Sequence, residues 1–560
     1  MNKLLSTLFA LLLLVVAAQA QSVDDLLKPV TRTYALKNVT IVQKPGTMIE
    51  GGTIVIKDGL IHSVGKNVTI PANAKVLEAD SMFVYAGFID ALSNIGIPEP
   101  KPDNNRERPR GEIRANPPYE MAGIMPHAEA EDMVSTSDKE IEAFRKLGIT
   151  AVQTVPHGGM IPGQTALIIL AGDKAADMIL LEEVAMVGTF EDAGRVFPAT
   201  IMGVMTKYRE LFGQARQYMA HEAAYEKNPA MPRPESDEAL ESLAEVASGE
   251  QMMFMVAPGV KDLYRAMTLE RDVEVDMIMA NVKEGWRVLD ELKAAGKPVL
   301  VSTDLPKEIK EKKKKDDEEE AEEAENDPEM EALMKRKKET YDSYVSQAAT
   351  FAEEGITFAF TTMGTKASDL RGNLQRMVKA GLSSEQALAA LTTTPAEMMG
   401  VSNVMGSVEK GKIANLVVSD KPYFEEGSNV RFVLADGHVF EYDTSKKKSA
   451  GKSGESLSPG DLAGEWSYTI NVPGQVTSGV MTLTDNGGDI EGTVEAETMG
   501  TTNMQSVVLS GNTLTFNISV DIQGQNMTLA YELDFTKEAF EGKVGVGSYG
   551  NFDVSGSKIP

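Results

Sequence analysis

Ala86–Gly96 reads AGFIDALSNIG, a strand that closes on GFID and passes into a polar loop. Leu92 has no donor atom, and Asn94 has only an amide. Outward from this stretch, one pattern recurs: an amphipathic helix ends at Gly and a β-rich run follows. SDKEIEAFRKLGITAVQTV (137–155) shows it first. Ser137 and Glu140 are spaced as a capping box, and Ile141, Phe144 and Leu147 share one helix face. Gly148 ends the helix, and Ile149–Val155 reads as a buried strand. The pattern returns in EALESLAEVASGEQMMFMV (238–256), WRVLDELKAAGKPVLVS (286–302) and VSQAATFAEEGITFAF (345–360). Helix–strand units with short junctions predict a parallel α/β sheet, closed as a barrel or open.

Several motifs, in order, resemble the amidohydrolase superfamily. The run around GFID is similar to its first barrel strand, where the family has GFIDxHxH. Residues 33–88 and 404–443, including VMGSVEKGKIANLVVSD, resemble its small β-domain, with Asn415 at a position usually acidic. GMIPGQTALIILAG (159–172) resembles the imidazolonepropionase-like branch, and GLSSEQALAALTTTPAEMMGV (381–401) is also typical of the superfamily. The resemblance implies a distorted (β/α) TIM-like barrel over 89–401 and a discontinuous β-sandwich over 21–88 and 402–443. It also implies hydrolysis of C–N bonds by hydroxide on zinc or another divalent metal.

The same resemblance locates the expected ligands, and other residues stand there. Leu92 and Asn94 replace the first two histidines. Val256, or Ala257, stands at the third, Asn281 near the fourth, and Thr361 and Thr362 at the catalytic Asp. The expected metal and cofactor content is therefore none. Five histidines remain. His62 and His438 fall in the β-domain by the resemblance, leaving His127, His157 and His221. His157 follows a strand and reads as a general base or a hydrogen-bonded structural residue. Asp304, in VSTDLP, reads as a catalytic residue at a strand end or as a helix or turn cap. Asn94, Asn281 and Thr362 are candidate substrate contacts at the barrel mouth. Asp90 reads as structural, and the 30 methionines as core filling.

Residues 1–20 read as a signal peptide, with Lys3, the apolar run LFALLLLVVAA and the small-x-small site Ala18-Gln19-Ala20. This predicts an exported bacterial protein, periplasmic or secreted, with no membrane span after cleavage. The chain has no Cys, so disulfides and thiolate metal sites are excluded. A formal charge of −28 argues against nucleic acid as a partner. A small or peptide-like molecule remains a possible ligand. The resemblance implies a homodimer, or pairing with a catalytically intact paralogue.

Residues 307–338 form a charged insertion, read either as a solvated loop or as a lid over the barrel. Residues 444–460 read as a polar linker. From Gly464-Glu465-Trp466 onward, eight alternating runs with Gly/Asn/Asp turns predict an antiparallel meander over 461–560, a lipocalin-like barrel or a sandwich. Three functions follow for test: a metal-free pseudoenzyme with a binding or assembly role, a hydrolase with a relocated or metal-independent site, and a carrier acting through the C-terminal domain.

Overall fold

The computed structural model describes residues 33–100, 111–192, 194, 196–309, 328–442, 457–472, 475–486, 489–496, 500–510, 512–522, 525–546 and 551–559. The expected signal peptide, most of the charged insertion and most of the linker lie outside these residues. The chain divides into two compact units, 1–442 and 443–560.

The first unit opens with strands Thr33–Lys44, Thr47–Lys57, Leu60–Gly65, Lys75–Leu77 and Phe83–Ala86. Leu416–Ser419, Val430–Ala435 and His438–Glu441 complete one eight-stranded sheet with them. The two sequence-distant parts of this sheet meet where Leu416–Ser419 runs antiparallel to Phe83–Ala86. Leu36, Ile41, Ile54, Val84, Leu416 and Leu434 form a separate apolar core for this sheet. His62 and His438 both lie on its strands. An aromatic joint ties the sheet to the barrel. The Tyr423 ring meets Phe88 edge-on at 4.6 Å, and its hydroxyl donates to Leu147 O at 2.6 Å.

The barrel strands are Phe88–Ser93, Ile149–Thr154, Ala185–Gly188, Met252–Val256, Met277–Ala280, Val299–Ser302 and Phe358–Thr361. Phe88–Ser93 pairs in parallel with Ile149–Thr154. Met252–Val256 is parallel to both of its neighbours, and Val299–Ser302 is parallel to Phe358–Thr361. Val282 and Val301 bridge the two groups, also in parallel. One stretch departs from this pattern. Residues 163–169 run antiparallel to Ile149–Thr154 on one side and to Ala185–Gly188 on the other. Gln153 and Thr165 reinforce that seam, with the Gln153 amide donating to the Thr165 hydroxyl at 2.7 Å.

Strand side chains alternate between two cores, as period two requires. Met253, Met255, Met277, Met279, Val299 and Phe360 face the helices. Phe254, Val256, Ile278, Ala280, Leu300 and Ala359 face the lumen. The methionines fill the helix side, where an unbranched thioether adapts to irregular gaps.

The helix predicted to begin at a Ser137–Glu140 box is capped differently. Asp138 is its N-cap and accepts from Glu140 N at 3.0 Å. The other Asp138 carboxylate oxygen accepts from Gly96 N at 2.7 Å, tying the helix start to the loop after GFID. Ser137 bonds Ser135 instead. A carboxylate adjoining the first turn meets the free N–H groups directly and wins over the hydroxyl one residue earlier.

In the second unit, nine strands form one antiparallel sheet in meander order, and its two edges come together as a nearly closed barrel. The ninth strand is the short Gly500–Asn503. The interior holds Trp466, Phe516, Ile518, Leu533, Phe535 and Phe540. Trp466 meets Phe535 edge-on at 4.9 Å, and its indole N–H donates to Leu462 O at 2.8 Å. Helix Pro459–Leu462, opened by a Ser458–Asp461 capping box, closes this end. Leu457 also packs into the interior, so ordered packing begins before residue 461.

Candidate functional site

The parallel strands bring their C-terminal ends to one face of the barrel, where such folds place their chemistry. At that face the lumen is filled. Leu92 is fully buried among Ala91, Val155, Val187 and Phe254, with Val256 and Met363 packed against them. At the expected ligand positions, Leu92 and Val256 contribute only methyl and methylene groups, and Asn94, Asn281, Thr361 and Thr362 only neutral amides and hydroxyls. A dication there would lack both charge compensation and imidazole donors. Among the described residues, no group of three or more His, Asp or Glu side chains is placed to hold a metal ion. The residues present do not fit the family's metal.

Each candidate polar residue has an assignable position. The Asn94 amide donates to Val155 O at 2.8 Å and to Pro156 O at 3.3 Å, pinning two strand ends together. The Thr362 hydroxyl donates to the Asp90 carboxylate, and Thr362 N donates to the other Asp90 oxygen at 2.9 Å. The Thr361 hydroxyl donates to Leu92 O. These contacts close the ring between the last strand and the first. Asp90 is therefore a seam residue. Burial pushes its pKa up to about 6, although the surrounding N–H and O–H donors pull it down.

His157 shares a hydrogen bond with Ile97 O at 2.7 Å through Nε2, holding the loop that follows Asn94. His221 bonds Pro232 O on the long helix Ile201–Lys227. His127 keeps a buried Nδ1 without a partner.

Asp304 pairs with Lys283, Nζ to Oδ2, at 2.6 Å. The sequence reading missed Lys283. Its signal is modest: a Lys two residues beyond Asn281, just past a strand end. Asn281 itself is 9% exposed, adopts a left-handed φ of 55°, and leaves Oδ1 without a partner. Glu284 follows, accepting from Val260 N at 2.9 Å and from the Tyr344 hydroxyl at 2.7 Å. Burial opposes its charge, but these donors hold its pKa below the usual carboxylate value. Burial and the bond to Glu284 together push Tyr344 up to about 12. The structure thus brings Asn281, Lys283 and Asp304 together on adjoining strand ends. Asn94, His157 and Thr362 are separately engaged with backbone or Asp90.

The comparisons with known proteins bear on the fold. The model of the amidohydrolase family matches residues 205–440. An amidohydrolase from Thermotoga maritima MSB8 superposes with a TM-score of 0.59 at 21% identity, over 73% of this chain and 100% of that one. Residues 205–440 thus resemble the amidohydrolase family, and the first unit shares the fold of an amidohydrolase. A putative prolidase from Bifidobacterium longum gives a TM-score of 0.42 at 18% identity, over 74% of this chain and 95% of that one. No curated protein matches the sequence significantly. Within this fold, Leu, Asn, Val and Thr stand at the positions where the sequence resemblance leads one to expect ligands. Among the described residues, no helix is long and apolar enough to cross a membrane.

Proposed function

We propose that this amidohydrolase-superfamily chain is an exported pseudoenzyme that works by binding or assembly. The observation that carries the reading is Leu92, fully buried in an apolar lumen where the resemblance calls for a histidine. The accompanying Val256, Asn281, Thr361 and Thr362 support it, because a first coordination shell is useful only when complete. The signal-like residues 1–20 support export. The run GMIPGQTALIILAG supports a position near the imidazolonepropionase-like branch. The test is metal content on full-length mature protein purified without chelator, together with hydrolysis of imidazolone, dihydropyrimidine and dipeptide substrates. No stoichiometric zinc, manganese or iron and no turnover is the expected result. One metal per chain, lost with a hydrolase activity on chelation, overturns the reading.

A second reading, a metal-independent hydrolase, draws support from the Lys283–Asp304 pair. A half-buried amine beside a carboxylate at the barrel mouth could move a proton if Lys283 gave one up. Turnover that survives chelation and disappears in Lys283→Met would favour it. The carrier reading has less support, because Trp466, Phe516, Phe535 and Phe540 occupy the C-terminal barrel's interior.

A further inference from the structure

A cleft of about 390 Å³ lies on the outer wall of the first barrel, between helix Lys139–Arg145, the turn at 171–173 and strand His438–Glu441. None of the mouth residues Leu92, Asn94, Asn281, Lys283, Asp304 or Thr362 lines it. Its volume falls within the range of small-molecule sites, roughly 300–1,000 Å³.

The cleft contains one rigidly held cation. The Arg145 guanidinium lies 3.8 Å over the Phe440 ring. Its Nη1 donates to Leu170 O at 2.8 Å, and its Nε donates to the Tyr442 hydroxyl at 3.3 Å. Among the described residues, Nη2 has no hydrogen-bond partner. A guanidinium fixed on an aromatic face has already lost the rotamer freedom that an exposed arginine would surrender on binding. Two of the nearby acids are engaged elsewhere. Glu142 pairs with Lys146 at 2.5 Å, and the Asp138 carboxylate accepts from two backbone N–H groups. Lys139 adds a second positive charge, and Asp173 is the remaining acid. The apolar side of the cleft is supplied by Ile141, Ala171 and Met178, all buried.

We propose that this cleft binds a small organic carboxylate, with its acid group on Arg145 and its apolar body against Ile141 and Met178. Guanidinium and carboxylate match in planar geometry, and the apolar side rewards an aromatic or aliphatic body over a bare inorganic anion. The inference does not depend on whether the barrel mouth is catalytic.

The test uses the full chain and calorimetric titration with benzoate, phenylacetate and hippurate, each against its neutral amide. At least one acid should bind saturably at one site per chain and at least about tenfold more tightly than its amide, a difference of about 1.4 kcal/mol. Arg145→Lys, which keeps the charge but loses the planar fork, should weaken that acid by about tenfold. Thr136→Trp places bulk at the exposed rim and should abolish binding without touching Arg145. If Arg145→Lys fails to fold, Thr136→Trp decides alone. No saturable binding of any acid up to about 10 mM, equal binding of acid and amide, or binding unchanged in Thr136→Trp each overturns the proposal.

Discussion

The chain contains two barrels, and side chains of different character fill them. In the C-terminal barrel the interior is largely aromatic and aliphatic, with Trp466 meeting Phe535 and Phe540 edge-on at one end. Its one buried polar atom without a partner is the Tyr531 hydroxyl, counted over the described residues. In the (β/α) barrel the lumen is also apolar, but polar groups ring it. Asp90 is fully buried at the closing seam, while Gln153 Oε1, Thr154 Oγ1 and Asn281 Oδ1 are buried without partners. Unpaired buried polar atoms cost stability. The second barrel therefore reads as a packed module, whereas the first keeps the polar framework of a site around an apolar plug.

The largest effect should come from placing a charge at the plug. Leu92→Asp puts a carboxylate where no donor faces it and should destabilise the first unit by about 5 kcal/mol or leave it unfolded. Chemical denaturation reads this directly, and a loss under about 1 kcal/mol would mean that the lumen is wet. The double change Leu92→His with Asn94→His should also restore no hydrolysis, because the other ligand strands remain apolar or neutral.

Next in size is the corresponding test of the second barrel. Trp466→Ala removes its largest fully buried side chain and should cost about 4 kcal/mol. The loss should appear in the unfolding of the second unit, with the first unit's transition unchanged. A uniform shift of both transitions would contradict the division into two units.

Asp90 sharpens the contrast through pH. Its folded pKa, about 6, lies above the unfolded carboxylate value of about 3.9. Folding therefore takes up a proton between those values. The stabilisation is complete below about pH 4 and is lost as pH rises through about 6. The gap between the two values corresponds to about 3 kcal/mol. The stability difference between wild type and Asp90→Asn should change by about that amount from pH 4 to pH 7.5, wild type losing ground as pH rises. A difference independent of pH would show that the donors from Thr362 and Leu92 cancel the effect of burial, and wild type gaining ground as pH rises would show that they outweigh it.

The smallest effect should be at the mouth. The Lys283–Asp304 side chains are 28% and 42% exposed, so Lys283→Met should change stability by no more than about 1 kcal/mol. A much larger loss would make the pair a structural strut and remove the support it gives to a metal-independent hydrolase.

The sequence carried much of this, unevenly. The GFID strand, the Gly-terminated helices and the alternating C-terminal runs were legible because period and turn chemistry are local properties. That Leu92 and Val256 could not serve a metal was legible, because Leu and Val have no donor atom in any fold. Other features depend on tertiary contacts. Asp138 displaced Ser137 as a cap because Gly96 N also reaches its carboxylate. The left-handed Asn281 and its pairing neighbours Lys283 and Asp304 depend on how two strand ends abut, which spacing does not encode. The short strand Gly500–Asn503 escaped notice because four residues are too few for alternation to register.

The antiparallel stretch 163–169 has a consequence for how the barrel assembles. Parallel barrel strands can pair only after the chain has crossed back through a helix, which makes their contacts distant along the sequence. Ala166–Ile169 pairs with Ile149–Thr154, its near neighbour, with no helix between them. Closing that loop sacrifices less chain entropy than any of the parallel crossovers. Among the barrel strands this corner is thus the pairing that costs the least loop-closure entropy.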